Sequence, residues 1–181
     1  MDSQLEFQYL ANTNRMAHAE LIRLMEQYGD DVRKYAYAIT KSREQAKDVA
    51  QEAFIKAYRG IESFRGHSSM KTWLFAITRN IAINEMKSSY IRRIVLFQRV
   101  KPPNAGQSAE SAYFEDQSAR EVRELMMGLP MKLREVLVLT LEHEMTMIEI
   151  ANMLRVSEGT IKSRLHRARK AMDDKWREKE R

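Results

Sequence analysis

Between Gly159 and Lys170 the chain reads GTIKSRLHRARK, five cations and one imidazole in twelve residues. At 100° per residue, Ile161, Leu165, Ala168 and Met172 fall on one side of a helix. Gly159, Lys162, Ser163, His166, Arg167 and Lys170 fall on the other, with Arg164 and Arg169 on the flanks. The cations therefore form a face. Such a face makes and breaks no covalent bond; its chemistry is to neutralise phosphates and to donate to the acceptor edges of bases. The alternative is a solvated helix surface, and the preceding residues decide between the two.

Those residues read TMIEIANMLRVS. Thr146 and Glu149 stand at capping-box spacing, so a helix starts there. Ile148, Ile150, Ala151 and Leu154 are expected to supply its short apolar face. Arg155 and Val156 make a tight connection, and Ser157 caps the next helix. A helix, a short turn and a basic helix make a helix-turn-helix, whose second helix enters the major groove of DNA. Lys162 and Arg167 are placed for guanine edges or phosphates, with Ser163 and His166 as hydrogen-bonding neighbours.

Two other helical segments carry polar residues in an ordered way. In REQAKDVAQEAFIKAYR, Ala46, Val49, Ala50, Ala53, Phe54 and Ala57 form a core face. Asp48, Gln51, Glu52, Lys56 and Arg59 form the outer face, with Ile55 projecting among them. Spacing alone leaves open whether this is plain surface or an apolar anchor, ringed by acids, for a basic protein partner. In MKTWLFAITRNIAINEMK the helix is apolar almost all round, Trp73, Phe75 and Ile77 being simplest as core. The exception is the stripe Asn80, Asn84 and Lys87, which suits ordinary surface or contact with a nucleobase or phosphate.

Other chemistry is sparse. His18, His67, His143 and His166 are dispersed and expected on surfaces, and Glu142 and Glu144 flank His143 on different helix faces. No metal site, catalytic constellation or cofactor is expected. The absence of cysteine rules out disulfides and thiolate metal sites and suits a reducing compartment. A net charge of +6 favours an acidic partner, nucleic acid first and an anionic membrane second.

The elements that must position these faces follow from composition. With only 6 Gly and 3 Pro in 181 residues, and Ala, Leu, Met, Glu, Lys and Arg dominant, the chain reads as all-α. Helical blocks are expected from about Ala17 to Thr40, Ser42 to Tyr58 and Met70 to Lys87. The first has Leu21, Ile22, Leu24, Met25, Tyr28, Val32, Tyr35 and Ile39 as its apolar stripe, and Gly29 as a candidate bend or break. Further blocks run from Ser118 to Met127 and from Pro130 to His143, followed by a pair from Thr146. Gly128 sits at a C-cap position and Pro130 at a helix start. KPPNAGQSAES, Lys101 to Ser111, is a linker by composition. The expectation is two small helical domains, an N-terminal bundle (1–90) and a C-terminal helix-turn-helix domain (117–181), joined by a flexible linker (91–116). The first sixteen residues lack the basic start and apolar core of a secretory leader. No stretch approaches eighteen apolar residues, so an intracellular, cytoplasmic protein that is not membrane-inserted is expected.

Together, DVAQEAFIKAYRGIESFRGHSSMKTWLFAITRNIAIN and, downstream, LPMKLREVLVLTLEHEMTMIEIANMLRVSEGTIKSRLHRARKAM resemble the extracytoplasmic-function, or group IV, sigma factors of bacterial RNA polymerase. The resemblance covers about Ala17 to Met172, both domains in order. It implies a non-enzymatic subunit that binds core polymerase, directs promoter-specific initiation and nucleates melting. Asp48, Gln51, Glu52 and Ile55 lie in the motif that docks on the clamp helices of the largest subunit. Phe64, Arg65, Gly66, His67, Ser68 and Asn80 match the part that captures an unstacked base of the −10 element. Extruding a base costs a few kcal/mol, which stacking and hydrogen bonds must recover. Asn84 stands where aspartate is frequent and Lys87 where arginine is, and both bear on −10 preference. Ser157, Gly159, Thr160, Lys162, Ser163, His166, Arg167 and Lys170 are the corresponding −35 candidates. Implied partners are polymerase core (clamp helices and flap), promoter DNA and an anti-sigma protein, in many members membrane-bound, with the free protein a monomer serving a stress response.

Two rivals stay in view. A conventional helix-turn-helix regulator explains the C-terminal domain but neither the Asp48–Tyr58 motif nor the apolar Trp73 helix. An enzyme acting on nucleic acid finds no paired carboxylates or histidines to use.

Overall fold

The computed structural model describes residues 15–61, 64–96 and 117–179, and among these it is helical, with seven α-helices and no strand. They are α1 (Arg15–Thr40), α2 (Arg43–Gly60), α3 (Met70–Leu96), α4 (Gln117–Met127), α5 (Met131–Leu141), α6 (Met147–Leu154) and α7 (Glu158–Lys179). The all-α expectation holds.

In the first domain α1, α2 and α3 pack on one another. Leu21, Val32, Tyr35 and Ile39 of the expected α1 stripe are buried, whereas Ile22 and Met25 face solvent. Gly29 does not break α1, which runs through it. A single glycine costs a helix about 1 kcal/mol relative to alanine, less than the packing on either side of it supplies. The helix ends where Lys41 turns left-handed (φ 59°), its N–H bonded to the Tyr37 carbonyl at 2.9 Å. Ser42 then caps α2, its Oγ accepting the Gln45 N–H at 3.3 Å. Ala46, Val49, Ala50, Ala53, Phe54 and Ala57 are all buried, as their spacing requires. The small alanines let α2 lie close against its neighbours. α3 extends to Leu96, beyond Lys87 and into the stretch read as linker; residues 97–116 of that stretch lie outside the described residues.

In the second domain α5 sits at the centre, flanked by α4, α6 and α7. Gly128 closes α4 with its N–H on the Glu124 carbonyl at 3.0 Å. A Cβ there would lie 3.0 Å from Lys175 Nζ, so the glycine also admits that ammonium, which donates to the Gly128 carbonyl.

The two domains meet through α1 on α5 and α3 on α6. The junction is polar and enclosed. Glu135 on α5 is fully buried, accepting from Tyr35 Oη at 2.9 Å and from Arg79 Nε at 2.7 Å. Burial, then the neighbouring Glu135 carboxylate, holds the Tyr35 hydroxyl well above its ordinary pKa. Arg134 donates to the Ala38 and Ile39 carbonyls of α1 and to the Met127 and Leu129 carbonyls of its own domain. One guanidinium thus finishes two helices, one in each domain. Lys71 reaches across to the His143 carbonyl at 3.1 Å and to Asp31 at 3.1 Å.

His143 corrects an expectation. It is 3% exposed, edge-on to Phe75 (centroids 4.6 Å) and Tyr35, where the sequence placed it on the surface. The reason is long-range: α1 and α3 of the other domain cover it. Neither ring nitrogen has a hydrogen-bond partner among the described residues, Nδ1 lying 3.6 Å from Asp31 Oδ1. Burial lowers its pKa to about 4, with Asp31 opposing and Lys71 and Lys34 reinforcing the fall, so the ring is neutral at pH 7.

Candidate nucleic-acid and polymerase interface

The helix-turn-helix forms as its capping signals require. Thr146 Oγ1 accepts the Glu149 N–H at 3.2 Å, while the Glu149 carboxylate accepts the Thr146 N–H at 2.9 Å, closing the capping box. Arg155 takes the left-handed conformation (φ 54°, ψ 50°), and the Val156 N–H returns to the Ala151 carbonyl at 3.0 Å. Ser157 caps α7 through the Thr160 N–H at 3.2 Å. Ile150, Ala151 and Leu154 are buried, but Ile148 is 57% exposed, which corrects its place on the apolar face. Two residues before Ile150 is about 200° around the helix, the far side. Leu141 and Met147 are exposed as well.

On α7, Ile161, Leu165 and Ala168 are buried and hold the helix against α5 and α6. Ser157, Gly159, Lys162, Ser163, His166, Arg167 and Lys170 are exposed and Thr160 half-buried. The inside and the outside of this helix therefore fall where periodicity put them. Arg167 is pre-oriented: its Nη2 donates to Ser163 Oγ at 3.2 Å and its Nε to the Ser163 carbonyl at 3.3 Å. That holds a forked donor ready without ordering a free side chain on contact.

The first domain offers two more faces. Between α2 and α3 the loop residues Arg65, Gly66, His67 and Ser68 are exposed, and Gly66 has φ +70°, a conformation that favours glycine. Phe64 is half-buried and tilts on Trp73, centroids 5.1 Å apart. Ser69 caps α3 through the Thr72 N–H at 3.1 Å, so the loop lies at a helix N-terminus, a favourable place for an anion. Asn80, Asn84 and Lys87 are exposed on α3. Trp73 precedes Asn80 by seven residues, two turns, and so begins the same stripe. Along the axis Asn80 lies about 10 Å from Trp73, and Lys87 about 21 Å. The loop, Trp73 and Asn80 thus share one end of the stripe, while Asn84 and Lys87 reach further along it.

On α2, Asp48 and Glu52 are exposed and Gln51 and Ile55 half-buried, so the isoleucine does project among the polar residues. Glu52 pairs with Lys56 at 2.7 Å. Gln51 edges an apolar groove of about 550 Å³ between α1 and α2, floored by Phe54 and Ala50 with Met25 at its rim.

Sequence reasoning missed the junction. Its only local signal was Arg134–Glu135, a charged pair followed by the uninterrupted apolar run Val136–Leu139. A helix apolar on that many sides is enclosed, and its charges with it. Among the described residues no cluster of His, Cys, Asp and Glu suits a metal ion, and no helix is long and apolar enough to cross a membrane.

The chain matches two known families in tandem: Sigma-70 region 2 over residues 24–92 and Sigma-70 region 4 over residues 119–172. It is 33% identical to the RNA polymerase sigma factor YlaC of Bacillus subtilis, over 85% of this chain and 91% of that protein. It is 28% identical to the ECF RNA polymerase sigma factor SigW of the same organism, over 86% and 88%. In fold it is similar to the sigma factor RpoE of Bartonella quintana, solved in complex with the anti-sigma factor NepR. That match has a TM-score of 0.71 and 22% identity, over 86% of this chain and 95% of that one.

Proposed function

This chain belongs to the extracytoplasmic-function sigma factors of RNA polymerase, and on that premise we propose how its surfaces divide the work of promoter-specific initiation. The α2 face, Asp48, Gln51, Glu52 and Ile55, docks on the clamp helices of the core enzyme, an apolar anchor ringed by acids for a basic partner. The loop Phe64–Ser68 and Asn80 capture a flipped −10 base, Phe64 by stacking and Asn80 by hydrogen bonding. Asn84 and Lys87 hold the strand further along. The α7 face reads the −35 element in the major groove, with Arg167 and Lys162 as the principal donors and Ser157, Gly159, Thr160, Ser163, His166 and Lys170 around them.

The domains divide between the end of α3 at Leu96 and the start of α4 at Gln117, and a linker there lets two modest DNA contacts act as one. The protein catalyses no bond chemistry, works in the cytoplasm and needs neither metal nor cofactor. An anti-sigma protein is its expected regulator, as for the NepR-bound neighbour.

The observation that carries this reading is the order of the two sigma regions on one chain, with the candidate residues on each turned to solvent or half-exposed. Reconstituted transcription tests it. Sigma-free core polymerase is incubated with and without the protein on a fragmented genomic library. Discrete new start sites that need both components are expected, and a Phe64→Ala variant should bind core normally yet open promoters poorly. No core binding, with tight binding of a palindrome by the protein alone, overturns the reading and leaves a conventional regulator.

A further inference from the structure

Ser163 and Arg167 stand one turn apart on the exposed face of α7, and two hydrogen bonds join them. Both fall on the same residue: Nη2 donates to the Ser163 hydroxyl at 3.2 Å and Nε to the Ser163 carbonyl at 3.3 Å. These acceptors are neutral, so the guanidinium keeps its full charge for a ligand. The ion pairs of α7 among the described residues, Arg177 with Asp173 and Lys179 with Glu121, lie in its last turns. Lys162 and Lys170, the other long cations of the face, have no such tether among the described residues.

We propose that Ser163 is a positioning residue: it reads no base itself, and it turns Arg167 so that the end of the guanidinium meets a guanine of the −35 element. The inference rests on the sigma reading for its DNA and on the pair alone for the alignment. A guanidinium carries its N–H donors in one plane, as a rigid fork on its side and another at its end. Nε with Nη2 makes the side fork, and Ser163 occupies it. Nη1 with the second N–H of Nη2 makes the end fork, which is left open. Two parallel donors match the N7 and O6 acceptors of guanine. Adenine sets a donor beside its N7, cytosine offers a donor, and thymine a single acceptor beside a methyl group. A serine hydroxyl, which both donates and accepts, selects among these far less sharply.

The benefit lies in what need not be ordered on contact. An untethered arginine on an exposed helix meets phosphate oxygens as readily as base edges, and phosphates carry no sequence. Immobilising such a side chain weakens binding roughly two- to tenfold, a loss that is avoided where the side chain is held beforehand. Ser163 therefore acts on which base is read, through a neighbour one turn further along.

The test uses the full chain, in which both residues are exposed, so their substitution leaves the core untouched. Order at the Arg167 Nε–H is read by NMR relaxation in the free protein, its signal assigned by its absence from Arg167→Ala. The bond should be ordered in the unaltered chain and in Ser163→Thr, which keeps the hydroxyl. In Ser163→Ala its order parameter should fall below about 0.6. Holoenzyme binding is then measured at fixed salt on a promoter fragment recovered in reconstituted transcription. Each −35 guanine is replaced in turn by 7-deazaguanine, which lacks the N7 acceptor. Ser163→Ala should weaken binding roughly two- to tenfold, and Ser163→Thr should restore it. In the Arg167→Ala background the loss of Ser163 should change nothing further, since it acts through Arg167. One 7-deazaguanine should weaken the unaltered chain and leave Arg167→Ala unaffected. An equal loss from Ser163→Ala with and without Arg167 overturns the proposal, because Ser163 then meets DNA by itself. So does an Arg167 equally mobile with and without the hydroxyl. Absence of any promoter response to the protein would count against the sigma reading instead, while the relaxation of Arg167 still decides the tether.

Discussion

Helix α7 and the interdomain junction use the same kinds of side chain in opposite ways. On α7, Lys162, His166, Arg167 and Lys170 stand in solvent, with Arg167 donating to Ser163 of its own helix. At the junction Arg134, Glu135, Tyr35 and His143 are enclosed, and all but His143 are hydrogen-bonded. Exposed charge contributes little to the fold and is available to a ligand. Enclosed charge contributes to the choice of arrangement and is available to nothing until that arrangement changes. The exposed cations of α7 and the enclosed polar groups of the junction are therefore separate residues, and substitutions should separate their effects.

The largest effect is expected at Arg134. Alanine there leaves four carbonyls without their donor and a cavity in place of a large buried side chain. A loss of about 3 kcal/mol or more in urea unfolding should follow; a loss below about 1 kcal/mol would mean the junction is an ordinary surface contact. Next comes Arg167→Ala, which should weaken holoenzyme binding to a −35 element by about 1–3 kcal/mol at fixed salt. Its melting temperature should stay that of the unaltered chain, and a marked drop would erase the distinction drawn above.

His143 sharpens the comparison through pH. Its pKa of about 4 lies below the ordinary 6.5, so the exposed ring takes up a proton that the enclosed ring refuses. Its contribution is complete above pH 6.5 and is lost as pH falls from there towards 4. Around it stand Asp31 and Lys34 from α1 and Lys71 from α3. Thermal unfolding between pH 7 and 5 should show a decline that is shallower in His143→Phe. The smallest effect belongs to Lys56→Ala. Its pair with Glu52 is short, 2.7 Å, but both side chains are about half exposed. The change in stability should stay within about 0.5 kcal/mol.

What the residues disclosed in advance divides along the same line. The α2 core of Ala46 to Ala57, the capping box at Thr146 and the two sides of α7 follow from periodicities and spacings a few residues long, and these are local. Ile148 failed because a short helix with several apolar residues does not say which of them faces inward; that depends on the neighbour. Gly29 failed because helix propensity is a weak force beside packing. His143 and the Arg134–Glu135 pair could not be placed, since their environment is built by α1 and α3, some 60 to 110 residues earlier in the chain. On α2 and α7 the local rules separated inward from outward residues, because each helix's pattern is read within a few residues.

That separation along the chain also has a consequence in time. Arg79 leaves the ribosome 56 residues ahead of Glu135. At about 5–20 residues per second, that is a delay of roughly 3–11 s. Every newly made molecule therefore passes through a period in which its first domain is complete and its closing partner does not yet exist. A polymerase near the translating message meets first a chain in which α1, α2 and α3 are made and α5 is not.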